Sequence, residues 1–153
     1  MLSYIHEESP FQEVCLLYST KLPSKHPDRA EVLFLPRILE LFRTTSPNLE
    51  RKNHVYFFFT GAWDSPQISD QDEFLRSLSL STDSESETYL PIRAWGNRID
   101  EAALSRAIGT SYEQTHSSVF YVCGPPDMTD SIVKYLREQD YVAPERVLCE
   151  KWW

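Results

Sequence analysis

The sequence predicts an α/β fold, an open and mostly parallel sheet with flanking helices. Short apolar runs, VCLLYST (Val14 to Thr20), VYFFFTG (Val55 to Gly61), VFYVCG (Val119 to Gly124) and the closing VLCEKWW, have the length and the β-branched and aromatic content of strands. Between them lie stretches with apolar residues at helical spacing, and strands alternating with helices mark α/β units joined by right-handed crossovers. VYFFFTG is continuously apolar rather than alternating, as in a parallel strand covered on both faces.

Each element has its own local signal. Met1 to Glu8 reads as the end of a helix closed at Ser9-Pro10, because proline disfavours helix in the residue before it. VCLLYST follows as a strand, with KLPSKHPD and its two prolines as the exit loop. Asp28 supplies an N-cap for RAEVLFLPRILELFRTT, in which Val32, Leu35, Leu39 and Phe42 share a helical face. Pro36 kinks that helix or splits it in two. After VYFFFTG comes a polar helix or loop and then LSTDSESET (Leu80 to Thr88). That acidic, serine-rich stretch has almost nothing apolar to bury and is expected as a mobile surface loop. YLPIRAW (Tyr89 to Trp95) reads as a short strand, and GNRIDEAALSRAI opens a helix with Ile99, Ala103, Leu104 and Ala107 on one face. In PPDMTDSIVKYLREQ the expected N-cap is Asp127, with Asp130 in the first turn and Met128, Ile132 and Leu136 at i, i+4 and i+8.

Composition narrows the function. The 153 residues suit one module spanning 1–153, and eight Phe, eight Tyr and four Trp supply material for a core. A formal net charge of -8 repels phosphate backbones and anionic lipid, so neither nucleic acid nor a membrane surface is an expected partner. Any phosphate ligand must be held locally. The four glycines, Gly61, Gly96, Gly109 and Gly124, cannot write a Gly-x-Gly-x-x-Gly fingerprint or a Walker A loop. Cys15, Cys123 and Cys149 are odd in number and lie far apart in apolar runs, which predicts reduced thiols and an intracellular location. No histidine pairs with a cysteine at zinc spacing, so no metal is expected. No apolar run approaches the ~20 residues that span a bilayer, and the N-terminus has acidic residues where a signal peptide has basic ones.

The sharpest chemical feature is the junction VFYVCGPPDMTD. In open α/β sheets ligands sit beyond the carboxyl ends of the strands, and a strand-Gly-helix junction offers close backbone approach at Gly124 plus N–H groups at a helix start. That is a place for a nucleotide. Taken as structure alone, Cys123 is a small buried apolar residue and Pro125-Pro126 sets the turn into the helix; the residues by themselves leave both readings open.

CGPPDM after a strand, with the chain ending EKWW, closely resembles the C-terminal NAD(P)-binding module of the ferredoxin-NADP reductase superfamily. Within it the sequence resembles the mitochondrial oxidoreductase NAD-binding domain-containing proteins. LLYST resembles that family's second strand, FFFTG its third and GNRIDEAAL its Gly-Arg-Ile/Val helix start. The resemblance implies that Cys123 and Gly124, with Pro125 and Met128, lie beside the nicotinamide. It implies that Glu150 is the terminal acidic residue of the flavin-nicotinamide site, and that Trp152 and Trp153 stand near the flavin ring. Cys123, Glu150 and Trp153 are the implied catalytic residues. Trp152 and Trp153 read equally well as an apolar anchor for the last strand. Ser19 and Lys21 resemble the pair that meets the adenosine ribose or its 2′-phosphate, although Lys21 is also an ordinary loop lysine. Thr60, Gly61 and Arg98 would line the adenosine or pyrophosphate side; Asn97 stands between the Gly and Arg that the family places together.

The departures from the family are as informative. Its members begin with a flavin-binding barrel carrying an Arg-x-Tyr-Ser motif, and their NAD(P) module opens with a strand and a Gly-Gly-x-Gly-x-x-Pro turn. This sequence contains neither, and Met1-Leu2-Ser3 resembles the middle of the helix after that turn. The expectation is that Met1 is an internal methionine of a longer protein. In the family's strand order 3-2-1-4-5 the absent strand is the central one. Its loss would leave two edges of backbone groups, each costing about 1 to 3 kcal/mol if buried unsatisfied.

The function expected is that of the NAD(P)H-binding part of a ferredoxin reductase-type flavoprotein oxidoreductase, passing hydride between nicotinamide and flavin, with the chain alone inactive. The cofactor is NAD or NADP, and FAD only if the missing N-terminal domain is supplied. Expected partners are a nicotinamide nucleotide and a flavin domain or redox protein, in the mitochondrion by resemblance or in the cytoplasm. The alternative is a noncatalytic remnant that acts as an interaction module. A flavodoxin-like FMN carrier fits the acidic α/β pattern, but no phosphate-cradling loop follows any strand.

Overall fold

The computed structural model describes residues 14–22, 28–42, 54–61, 74, 78, 92–108 and 118–151. The expected N-terminal helix, the exit loop at 23–27, the acidic stretch 80–88 and Trp152 and Trp153 lie outside the described residues. The chain divides into two compact units, Met1–Ile99 and Asp100–Trp153.

The first unit is built on three parallel strands, β1 (Cys15–Leu22), β2 (His54–Gly61) and β3 (Ile92–Trp95), in the order β1-β2-β3. The apolar run at 55–59 explains why β2 takes the centre. Val55, Phe57, Phe58 and Phe59 are all buried, and a strand hidden on both faces has no polar face to alternate with. Consecutive side chains point to opposite faces, so the phenylalanines divide. Phe57 and Phe59 stack 5.8 Å apart, Tyr18 meets Phe57 edge-on at 5.8 Å and Phe74 meets Phe59 at 5.6 Å. On the other face Phe58 stacks on Trp95 at 5.2 Å, and Tyr56 lies 5.5 Å from the same indole. Removing each of these phenylalanines from water stabilises the fold by about 1.5 to 3 kcal/mol.

The segment after Asp28 forms two helices. Asp28 caps a 3₁₀ turn, Arg29–Glu31, by accepting from the Ala30 N–H at 3.0 Å, and Glu31 accepts from the Asp28 N–H at 3.2 Å to complete a capping box. The chain then breaks at Phe34, whose φ is +62°, and α1 (Leu35–Phe42) begins. Pro36 lies in the first turn of α1, where its absent N–H would have had no helical partner. The split predicted at Pro36 therefore falls just before it. Leu35, Ile38 and Phe42 are buried and Leu39 is half-buried, so the core face includes Ile38, one step round from the expected stripe. Val32, Leu35, Ile38 and Phe42 join Leu22, Val55, Phe57, Phe59, Leu78 and Ile92 in one core.

The second unit contains α2 (Glu101–Ile108), β4 (Phe120–Gly124), α3 (Pro126–Arg137), a 3₁₀ turn (Pro144–Arg146) and β5 (Val147–Lys151). The side chain of Asp100 accepts from the Ala103 N–H at 2.7 Å at the start of α2, and Ala103 and Leu104 are buried as expected. β4 and β5 pair in parallel, with Phe120 opposite Val147 and Cys123 opposite Glu150. Val122, Val133, Leu136, Val142 and Val147 form the core, with Phe120, Ile132, Ile108 and Tyr141 packed against it.

At α3 the expected cap is corrected. The helix starts at Pro126, with Pro125 as N-cap and no side-chain cap, so Asp127 is the acidic residue inside the first turn. Proline fits N1 because its φ is already helical and it has no N–H to satisfy. The shift also moves the buried stripe: Thr129, Val133 and Leu136 are buried, while Met128 and Ile132 are half-buried. Asp130 is exposed and forms an ion pair of 2.6 Å with Lys151.

The predicted α/β class is therefore observed, with parallel pairing throughout and helices flanking the strands. Among the described strands β1 pairs only with β2, and β4 only with β5.

Candidate functional site

Parallel pairing sends all the strands of a sheet to the same end, and the sequence-selected residues gather at the carboxyl ends. In the first unit Lys21 of β1 lies opposite Thr60 of β2, and Leu22 opposite Gly61. Ser19 and Lys21 are exposed and Thr60 is half-buried; the strand alternation puts the three on one face. Gly61 closes the group. Its φ is +108°, and a Cβ there would lie 2.6 Å from the Leu22 carbonyl oxygen and 2.9 Å from Lys21 Cγ. Glycine thus lets the lysine stem pass close over the strand end. Arg98 is exposed and follows the carboxyl end of β3. Lys21, Thr60 and Gly61 share the carboxyl end of this sheet, with Ser19 two residues before Lys21 on β1 and Arg98 three residues past the end of β3.

In the second unit the turn from β4 into α3 holds Cys123, Gly124, Pro125 and Met128. Gly124 is buried, and the Met128 methyl occupies the space that a Cβ at 124 would fill. Thr129 is fully buried, and its hydroxyl donates to the Gly124 carbonyl at 3.2 Å while its N–H donates to the Pro125 carbonyl at 3.0 Å. One threonine therefore ties both sides of the turn. Glu150 stands on β5 directly opposite Cys123.

The face of β4 and β5 turned away from the core is defined by alternation. It carries Tyr121 and Cys123 from β4 and Leu148 and Glu150 from β5. Tyr121 is 41% and Leu148 50% exposed. The Tyr121 hydroxyl donates to the Glu150 carboxylate. That bond, first, and Glu150's negative charge push the phenol pKa up to about 12. Tyr121 is consequently neutral and a donor at physiological pH.

This geometry narrows the chemistry expected of the junction. Pro125 and Pro126 have no N–H, so of the first residues of α3 only Asp127 and Met128 keep one, and the Asp127 carboxylate adds negative charge to the same turn. A helix start of this kind suits an uncharged polar ring better than a phosphate. The first-unit cluster has the opposite character, with Lys21 and Arg98 as cations beside the Ser19 and Thr60 hydroxyls.

Two side chains at this site escaped the sequence reading. Tyr121 is two residues before Cys123 in a strand and so shares its face, a parity signal present in FYVCG. Thr129 lies five residues after Gly124, and nothing local marks a threonine there as a backbone latch. Cys15, Cys123 and Cys149 are free thiols, as expected. Among the described residues no helix is long and apolar enough to cross a membrane.

A 36-residue stretch of the chain is 50% identical to the protein named "Oxidoreductase NAD-binding domain-containing protein 1" from Pongo abelii, and equally to the one from Homo sapiens. The stretch is 24% of this chain and 11% of each relative, so the similarity spans about a tenth of the curated relatives' length. It links the chain to an NAD-binding oxidoreductase-type protein. No protein-family profile matches the chain, and no solved structure matches it.

Proposed function

We propose that the chain is the NAD(P)H-binding part of a ferredoxin reductase-type flavoprotein oxidoreductase. The observation that carries this reading is the turn at Cys123-Gly124-Pro125, set at the carboxyl end of a parallel pair with Glu150 on the neighbouring strand. The open face fits a nicotinamide: Leu148 and Tyr121 offer apolar surface to a flat ring, and Glu150 offers an acceptor to a carboxamide N–H. Within the first unit, Ser19, Lys21, Thr60, Gly61 and Arg98 offer cations and hydroxyls, the chemistry that a phosphate or a ribose needs. A bound nicotinamide would supply hydride chemistry toward a flavin held by another domain or partner. The protein's share is to bind, orient and exclude water.

Calorimetric titration of the full chain with NADH and with NADPH tests this. Saturable binding of either, weakened by Glu150→Gln, is the expected result. A folded protein that ignores both nucleotides would overturn it.

A second reading has its own observation. β1 is an eight-residue strand and β4 a five-residue strand, each with one neighbour among the described strands. Free strand edges recruit extended segments of other chains, so a noncatalytic interaction module is the reading left standing if the titration fails.

A further inference from the structure

We propose that Tyr121 is a positioning residue for nicotinamide recognition, acting through Glu150. This rests on the NAD(P)H-binding reading and adds a residue to its site.

The observation is a constellation on one sheet face. Cys123 and Glu150 are cross-strand neighbours, and Tyr121 stands on the same side of β4 two residues earlier. The Tyr121 hydroxyl reaches Glu150 Oε2. A glutamate near the end of a strand has three side-chain torsions to explore, and an exposed one spends its time in water. A hydrogen bond from a rigid phenol removes most of that freedom. One carboxylate oxygen is committed to Tyr121, which leaves Oε1 to accept from a ligand amide on the open face beside Cys123. The arrangement also resists reversal, because at neutral pH the phenol is a donor and the carboxylate an acceptor.

The remaining charges of β5 do not compete for this carboxylate. Lys151 is engaged by Asp130 of α3, and Lys151 and Glu150 alternate to opposite faces of the strand. Among the described residues, Tyr121 is thus the group that defines where Glu150 points.

The test is a double-mutant cycle on the full chain, with NADH as the probe and calorimetry as the readout. Tyr121→Phe removes only the hydroxyl and is expected to weaken NADH binding about three- to tenfold, the worth of one hydrogen bond. Glu150→Ala, which leaves no acceptor for the phenol or the ligand, is expected to weaken it further. The decisive quantity is the double variant: if Tyr121 acts through Glu150, adding Tyr121→Phe to Glu150→Ala changes the affinity little. A hydroxyl that met the ligand directly, independently of Glu150, would weaken binding by the same factor in both backgrounds, and that result would overturn the proposal. So would wild-type affinity in Tyr121→Phe. Failure of the wild-type chain to bind NADH is a separate outcome that removes the NAD(P)H-binding reading and this inference with it. Melting temperatures of the variants confirm that each is folded.

Discussion

Thr129 offers the most direct test of how the candidate site is held together. It is fully buried, and its hydroxyl bonds the Gly124 carbonyl at 3.2 Å. Thr129→Val keeps the shape and deletes the donor, so the loss is one hydrogen bond in a dry site, about 0.5 to 1.5 kcal/mol. Thr129→Ser keeps the donor and deletes a methyl, worth about 0.8 kcal/mol of burial plus a small cavity cost. The two variants should therefore lose nearly the same stability, about 1 kcal/mol each. Urea unfolding would show this as similar shifts of midpoint at unchanged slope. They should part company at the turn. On the NAD(P)H-binding reading the valine variant loses affinity for NADH severalfold, whereas the serine variant binds as wild type. Equal loss in both variants would refute the idea that the hydroxyl latches the turn; unchanged affinity in both would show that the latch has no bearing on the ligand.

Three further outcomes follow from the geometry. Gly61→Ala forces a side chain onto φ +108° with its Cβ 2.6 Å from the Leu22 carbonyl, and should cost about 1 to 3 kcal/mol in urea unfolding; an unchanged midpoint would contradict the described turn. Phe34 is 70% exposed at φ +62°, so Phe34→Gly relieves about 1 to 2 kcal/mol of left-handed strain while losing little burial. Part of that gain returns to the unfolded chain's extra freedom, and a net stabilisation of up to about 1 kcal/mol is expected; a clear loss would mean that the ring is held by something. The Tyr121 phenol, raised from 10.0 to about 12 by Glu150, is favoured in its neutral form by folding. Its stabilising contribution is intact below pH 10 and disappears as pH rises through 12. Ultraviolet titration should find a late-titrating phenol that moves toward 10 in Glu150→Gln and is lost in Tyr121→Phe.

Much of this architecture is written plainly in the chain, for identifiable reasons. β2 was legible because four of the five positions 55–59 are buried and need apolar side chains, and VYFFF has them. The cap at Asp28 was legible because capping is local, depending on residues within three positions. The break at Phe34 was not, since a bulky residue with positive φ carries no sequence mark and is imposed by the packing of Val32 and Leu35 on either side. The start of α3 was misjudged for a physical reason as well: Asp127 is a good capping residue, but two preceding prolines already had the geometry of a helix start. At the candidate site, Cys123 and Gly124 stood out at the strand-Gly-helix junction, and Glu150 through the family resemblance. Their partners Tyr121 and Thr129 did not, because a tether is defined by what it touches, and touching is settled only when β4, β5 and α3 come together.

The parallel pairing of every described strand has a consequence for how the molecule is made. A hairpin can zip from its turn, but here Cys15 must find His54, Val55 must find Ile92 and Phe120 must find Val147. Loops of roughly 25 to 40 residues must close before the first rung of each ladder is rewarded. Such non-local pairing makes folding slower than that of helical bundles, whose contacts are local. During folding the Phe57-Phe58-Phe59 run, invisible in the finished protein, is the stickiest surface of the nascent chain. Newly synthesised protein should therefore depend on holdase chaperones, and refolding yield should fall steeply with concentration, even though the completed fold keeps those three rings dry.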